Sequence, residues 1–404
     1  MARPLRILSV CRSLPTPDDP SCGTYVFNRI AAIARLAEVR AVQPVPYCPV
    51  VKPLPKWVAA GARHVGGLRI TPTPMFYTPG VMKSLDGRWL ARSIAAEAAR
   101  MHLETGIDLI DAHFGYPEGV GCVQVARRLG VPVFITVRGL ENEYARKAIV
   151  GPKLMAALKG ARGCVCVSHS LRQLLLGNGV DDTAVRVVQN AVDDDVFRRF
   201  DKLEARRSLG LNAGHELVVS VGSLIERKRH HVLVRAFRAV LAERPDARLV
   251  VVGGGTLEPD YPPRLTALIA ELGIGHAVML AGNVAPDTVA RWLQAADVFA
   301  LATAREGCCN AVLEALAVGR PVVSTPVGDN TQFVQDGTNG YLVAVDDVDS
   351  LGRALAMALR RKDWNEEAIT RALGVGRWER VAREELQFFE ERLDRGAKDA
   401  RGRG

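Results

Sequence analysis

The chain has 404 residues, 48% of them hydrophobic and 24% charged, which excludes a disordered polymer and favours two domains of roughly 200 residues each. No apolar run approaches the ~18 residues of a membrane-spanning helix, and the first 14 residues offer only 7–10 as a signal-like core, so a soluble, cytoplasmic protein is expected. The net charge is +9, with 14 Lys and Arg against 7 Asp and Glu in residues 1–110; that surplus suits an anionic partner such as an inner membrane face, whereas 6% aromatic content offers few stacking platforms for a nucleic acid.

In chain order, short β-branched runs alternate with longer amphipathic stretches, the pattern of βαβ units and parallel sheets. A first series of strands is expected at 5–10, 39–45, 109–113, 133–137, 164–167 and 185–188. After the first of them Ile30, Ile33, Ala34 and Ala37 recur at helical spacing. Residues 44–79 are proline-rich and read as an irregular insertion. The polar stretch 190–197 marks a break, after which a second series begins: 217–221, 248–252, 278–281, 298–302 and 322–325. A final amphipathic helix carries Trp378, Val381, Leu386, Phe389 and Leu393 as its apolar positions. The expected organisation is therefore a Rossmann-like domain at 1–190, a second at 191–375, a helix at 376–394 that packs back onto the first, and a disordered tail at 396–404. Eight cysteines, at 11, 22, 48, 122, 164, 166, 308 and 309, form no CxxC pair and no zinc-ligand spacing with histidine. Reduced, buried thiols and no metal are expected.

In such sheets ligands bind at the carboxyl ends of the strands, so the chemistry is sought there. After the strand at 298–302 comes Glu306-Gly307-Cys308-Cys309-Asn310-Ala311, with Glu314 in the second turn of a helix that starts near Asn310. Loop amides and a helix N-terminus suit a phosphate oxygen, and two carboxylates accept hydrogen bonds from hydroxyls. A ligand with phosphate and polyol parts, such as a nucleotide sugar, meets both requirements. In the first half Gly23 follows a strand and lets backbone amides approach a phosphate, His113 ends a strand, and Arg138 ends another and points to an anion. Gly253-Gly254-Gly255 lacks the spaced dinucleotide fingerprint, and His230-His231 reads as capping and packing.

The Glu306-x7-Glu314 spacing followed by Gly319-Arg-Pro-Val-Val323 resembles the signature of the retaining glycosyltransferases of family four. Val221-Gly222-Ser223-Leu-Ile-Glu-Arg227-Lys228 is similar to that family's VGR-x4-K segment, Asn190-Ala-Val-Asp193 to its NGVD stretch, and Asp336-Gly-Thr-Asn-Gly-Tyr-Leu-Val343 to its DGxNGxLV pattern. Gly23, His113, Thr136-Val-Arg138-Gly139 and Val167-Ser168 fall in the family's order. The resemblance implies a GT-B fold, two Rossmann-like domains facing across a cleft, and a donor such as a UDP- or GDP-sugar, UDP favoured. It implies an acceptor that is a glycan, a lipid-linked molecule or a small molecule, and no cofactor. Glu306 would contact the donor sugar, Glu314 the ribose, and Lys228 the leaving diphosphate. The chain departs from the pattern at Ser223, where the family has an arginine; Arg227 or Arg229 could replace that cation. Gln332 stands where a glutamate is common, and Cys22 precedes Gly23 where a second glycine is frequent. A nicotinamide oxidoreductase and a non-catalytic sugar or polyanion binder are the competing classes.

Overall fold

In the computed structural model the described residues are 3–255, 258–374 and 377–401, without the side chains of 397–401. They form two compact units, Met1–Asn190 with Trp378–Gly404, and Ala191–Arg377. The expected boundary at 375/376 lies outside the described residues.

The first unit is built on β1 (Arg6–Val10), β2 (Glu38–Tyr47), β3 (Arg63–Val65), β4 (Leu68–Phe76), β5 (Leu109–His113), β6 (Val133–Val137), β7 (Gly163–Cys166) and β8 (Val185–Val187). The sheet order is β3-β4-β2-β1-β5-β6-β7-β8, parallel except for the β3/β4 pair. From β1 the chain winds out through β2 and β4, then returns to β5 on the other side, which puts the reversal of strand order between β1 and β5.

Residues 44–79 are not an irregular insertion. They hold the end of β2 and all of β3 and β4, and the prolines fit because of where their missing N–H groups fall. Cys11 N–H donates to Val42 O, so the even residues of β2 face β1, but β1 ends at Val10 and nothing pairs with Pro44 or Pro46 on that side. Tyr77 N–H donates to Tyr47 O, so the odd residues of β4 face β2; Pro72 and Pro74 face β3, which pairs only with 68–70. Proline is tolerated in a strand wherever its ladder position is vacant.

The second unit contains β9 (Glu216–Val221), β10 (Ala247–Val252), β11 (Val278–Gly282), β12 (Val298–Leu301), β13 (Val322–Ser324) and β14 (Gly340–Leu342) in the order β11-β10-β9-β12-β13-β14, all parallel. The short strand β14 was not foreseen. Its reversal of strand order lies between β9 and β12. Buried Val218, Leu233, Phe237, Leu249, Val251, Val298 and Leu355 fill one face of this sheet. Long runs buried on both faces are what a helix-covered parallel sheet requires.

The last helix, Trp378–Arg401, belongs to the first unit. Its Phe388 and Phe389 stack on Phe134 of β6 at 6.0 and 4.4 Å between ring centroids, and Trp378 meets Tyr25 at 6.1 Å. Beneath this apolar seam Glu385 Oε2 pairs with Arg29 Nη1 at 2.6 Å, with both side chains fully buried. Arg29 Nη2 also donates to Val188 O at 2.8 Å and Asn190 Oδ1 at 3.2 Å, tying the end of the first unit's chain to the same pair. The tail expected to be disordered from 396 is helical through Arg401, and 402–404 lie outside the described residues. Ala397, Lys398, Ala400 and Arg401 are good helix formers, so one glycine at 396, costing about 1 kcal/mol, does not end the helix. No described helix is long and apolar enough to cross a membrane.

Candidate functional site

In the second unit the turn after β9 and the loop after β12 meet at the reversal of strand order. Beyond Val221, Gly222 N–H donates to Val252 O and Leu224 N–H to Gly254 O, so the chain leaves the sheet guided by its β10 neighbour. It then makes a short turn, Glu226–Lys228, whose Arg227 O accepts from Ala304 N–H at 2.9 Å and from Thr303 Oγ1 at 3.2 Å. Arg227 Nη1 donates to Arg305 O at 2.7 Å. Three bonds therefore hold the cationic turn against the Glu306 loop.

The result is a charge cluster. Glu306 Oε1 lies 2.7 Å from Lys228 Nζ and 2.9 Å from Arg227 Nη1, and it accepts from Thr303 Oγ1 at 3.1 Å. Burial pushes the Glu306 carboxyl up, Lys228 and Arg227 more than offset this, and the group is held below its usual range. Of the two arginines that could replace the missing cation at Ser223, only Arg227 joins the cluster. Arg229 pairs instead with Glu226 at 2.8 Å and Asp346 at 3.0 Å. Ser223 itself has an exposed side chain, and its carbonyl lies 3.2 Å from His230 Nε2. Burial and the nearby Lys228 push His230 down to about 4, so it packs as a neutral ring, while His231 Nδ1 meets Tyr261 OH at 3.0 Å.

Downstream, the helix Asn310–Ala317 begins at Cys309, and Glu314 lies buried within it. The Gly307 and Ala311 amides make no hydrogen bond among the described residues. An N-terminus with unpaired donors beside two cations is an anion cradle. Gly328, at φ 60°, closes it from behind: a Cβ there would stand 2.8 Å from Gly307 O. Thr325 Oγ1 donates to Thr303 O at 2.6 Å and Asn330 Nδ2 to Thr325 O at 2.9 Å, anchoring the base of the Glu306 loop. Thr303, Thr325 and Asn330 carried no motif signal of their own.

The first unit's candidates are disposed differently. Gly23, at φ 63°, caps the helix Thr24–Ile33, and a Cβ on it would lie 2.0 Å from Ser13 O. The glycine is thus required by the close passage of residues 13 and 14. His113 is fully buried: Nδ1 faces Arg138 Nη2 at 3.1 Å, and Nε2 stands 2.9 Å from Asp111 Oδ2 without hydrogen-bond alignment. Arg138 is half-buried, and its Nε has no partner. Burial and the charge of Arg29 lower its pKa to about 10, so it stays cationic at neutral pH. Sequence reasoning missed Glu141, a buried carboxylate that accepts from the amides of Gly115, Arg138 and Gly139 at 2.7, 3.1 and 2.8 Å, and so sets the turn that carries Arg138. It also missed Glu118, buried and 2.8 Å from Arg12 Nε. The motif Val167-Ser168 resolves into a strand end and a helix cap, Ser168 Oγ accepting from Leu171 N–H. Among the described residues no group of three His, Cys, Asp or Glu side chains is placed to hold a metal ion.

Two doubly wound, mainly parallel sheets, each with a polar cluster near the reversal of strand order, define a class of two-domain α/β protein, and comparison with known proteins narrows it. Residues 24–196 match the family described as Glycosyltransferase Family 4, and residues 215–361 match Glycosyl transferases group 1. The D-inositol 3-phosphate glycosyltransferase of Acidothermus cellulolyticus is 33% identical over 290 residues, 67% of this chain and 64% of that protein. D-inositol 3-phosphate glycosyltransferase 2 of Catenulispora acidiphila is 31% identical over 304 residues, 70% of each chain. Among solved structures, sucrose-phosphate synthase from Thermosynechococcus elongatus aligns with a TM-score of 0.77 at 19% identity, covering 96% of this chain and 98% of that one. Anabaena HepE in complex with UDP and glucose gives 0.77 at 16% identity, covering 96% and 100%. The chain belongs to the group 1, family-four glycosyltransferases, and its fold is GT-B.

Proposed function

We propose that the protein transfers a hexosyl or related sugar from a nucleoside diphosphate sugar, a UDP-sugar in the first instance and a GDP-sugar as the alternative, to a hydroxyl of a glycan, lipid-linked or small-molecule acceptor, with retention of configuration and without a divalent metal. The observation that carries the reading is the cluster of Lys228, Arg227 and Glu306 beside the helix N-terminus at Asn310. Family membership, the names of the two relatives and the UDP-bound fold relative support it.

In this reading Glu306 holds Lys228 and Arg227 in place until a diphosphate arrives. The phosphate oxygens then take over the two cations together with the Gly307 and Ala311 amides, and the released carboxylate accepts hydrogen bonds from the donor sugar. Preorganised cations matter most as charge grows on the departing phosphate, where such groups commonly supply a few kcal/mol. Glu314 holds the ribose hydroxyls; Gly222, Ser223, Cys308, Cys309 and Asn310 line the same donor contact through their backbone. Of the first unit's residues, Gly23 and Arg138 are assigned to donor binding and His113 to catalysis. The basic excess of residues 1–110 fits a peripheral stay at an anionic inner membrane face.

The test is nucleoside diphosphate release from a panel of UDP- and GDP-sugars, with and without EDTA. Release that survives EDTA is expected. Release restored only by manganese would replace the protein cations by a metal, and no release from any donor would favour a non-catalytic sugar binder.

A further inference from the structure

The carboxyl ends of β2 and β4, neighbours in the first unit's sheet, carry an apolar and basic surface that the donor site does not use. Tyr47 pairs with Phe76 across the two strands, so the turn after β2 and the loop after β4 leave the sheet side by side. In the turn, Cys48 and Lys52 exchange both backbone hydrogen bonds, at 2.8 and 2.9 Å, and hold Val50 and Val51 out at its tip with 91% and 68% of their surface exposed. In the loop, Val81 and Met82 are 60% and 57% exposed; Val81 O accepts from Thr78 Oγ1 at 2.7 Å and Met82 O from Leu85 N–H at 2.9 Å. Each aliphatic pair is followed at once by an exposed lysine, Val50-Val51-Lys52 and Val81-Met82-Lys83. Phe76, also exposed, packs edge-on against Tyr47 and Trp89, at 6.1 and 5.2 Å between ring centroids.

Single exposed aliphatics need no explanation, but two ordered tips side by side make a patch. Its charge selects the occupant. Residues 39–85 contain six Lys and Arg and no Asp or Glu. Among the described residues the side chains of Lys52 and Lys56 make no hydrogen bond or ion pair, and Lys83 lies 3.8 Å from Asp86. Asp18 is engaged with Trp57 Nε1 at 2.8 Å. A second copy of the chain fits poorly, because a two-fold contact through this patch sets lysine against lysine. An anionic bilayer meets both requirements: aliphatic tips enter the boundary of the acyl chains, while lysine stems follow them and leave the ammonium groups among the headgroup phosphates.

We infer, resting on the membrane stay in the proposed function, that the turn 48–52 and the loop 77–83 are the surface through which the protein docks on a bilayer containing anionic lipid. Val50, Val51, Val81 and Met82 insert, and Lys52, Lys56 and Lys83 hold the headgroups. The strands of this sheet from β4 through β6 are parallel, so the docking loops lie at the same end of it as Gly23 and Arg138. Docking there brings an acceptor carried in the bilayer to the strand ends where a substrate binds.

The experiment sediments the full-length protein with phosphatidylcholine vesicles and with vesicles containing about one-third phosphatidylglycerol, at low and high salt and without a sugar donor. Binding to the anionic vesicles, weakened by salt, is expected. Lys52→Gln should weaken it about fivefold, the worth of one lysine at an anionic surface. Val50→Ser with Val51→Ser should weaken it about tenfold, by the same factor at low and high salt, because the lost contribution is apolar. These residues are exposed in a turn, so the unfolding temperature and nucleoside diphosphate release without lipid should not change. Equal binding to neutral vesicles, or binding indifferent to the two serines, overturns the docking surface. So does a dimer of the parent protein that the serine pair dissolves, since the patch would then serve a second copy. Vesicle binding needs no donor and nucleotide release needs no vesicle, so failure here and failure of the transferase reading are read separately.

Discussion

At the carboxyl end of β5, Asp111 and His113 lie fully buried with Arg138 Nη2 3.1 Å from His113 Nδ1, and close by the Arg29–Glu385 pair is fully enclosed. At the carboxyl end of β12, Lys228, Arg227 and Glu306 also pair, but Lys228 and Arg227 keep 14% and 34% of their side-chain surface exposed. The first arrangement is a brace and the second, in the proposed reading, an exchangeable ion cluster, although both pair carboxylates with basic side chains. Burial decides the difference. A charge pair with no route to water can only be broken at the cost of an uncompensated buried ion, whereas a pair at the rim can trade its carboxylate for a phosphate.

The contrast can be broken first at the brace. Arg29→Leu should strand the Glu385 carboxylate and cost about 3–5 kcal/mol of unfolding free energy, read by denaturant titration. The paired change Arg29→Leu with Glu385→Leu should recover much of that loss. Recovery of nothing would mean that Arg29 stabilises through the carbonyls of Val188 and Gln189 alone.

At the exchangeable cluster the largest effect should be catalytic. Lys228→Ala should lower turnover ~10²-fold or more with little change in unfolding temperature; a stability loss as large as that of Arg29→Leu would make Lys228 part of a brace as well.

His230, beneath the cationic turn, supplies a pH signature for the second unit. Its folded pKa, about 4, lies below the ordinary 6.5, so the unfolded chain binds the extra proton, and stability, full above pH 6.5, falls as pH drops through the window down to about 4. Between pH 7 and pH 5 this amounts to about 2 kcal/mol. His230→Gln should flatten the slope, and an unchanged slope would assign it to other groups.

The smallest expected effect is the most specific to exchange. Glu306→Gln removes the internal competitor for Lys228 and Arg227, so UDP alone should bind several-fold tighter, by roughly 1 kcal/mol, while turnover falls. Weaker UDP binding in this variant would show that Glu306 positions the cations rather than competing with the ligand.

The sequence made most of the second unit legible because its site residues are close in the chain. Glu306 to Glu314 span one loop and one helix, and the Gly222–Lys228 turn carries its own glycine and cation. The strands from β9 to β13 followed from β-branched runs, whereas the three-residue β14 did not. What remained illegible depends on register or on distant partners. The prolines of β2 and β4 read as punctuation until the ladder showed which side of each strand was vacant. Arg29 and Glu385 are 356 positions apart, and nothing local marks either as buried. Nothing local to His113 announces that Arg138 and Asp111 stand against its two ring nitrogens. Conversely, Arg229 seemed as good a substitute cation as Arg227 until Asp346 and Glu226 were seen to hold it.

The most direct test of the exchange account is a calorimetric titration of UDP into the full-length protein, set beside Lys228→Ala and Arg29→Lys. The account predicts a single site, at least tenfold weaker in Lys228→Ala and unaltered in Arg29→Lys. UDP affinity that is indifferent to Lys228 would contradict it, because the cluster at the end of β12 would then not be where the diphosphate is held.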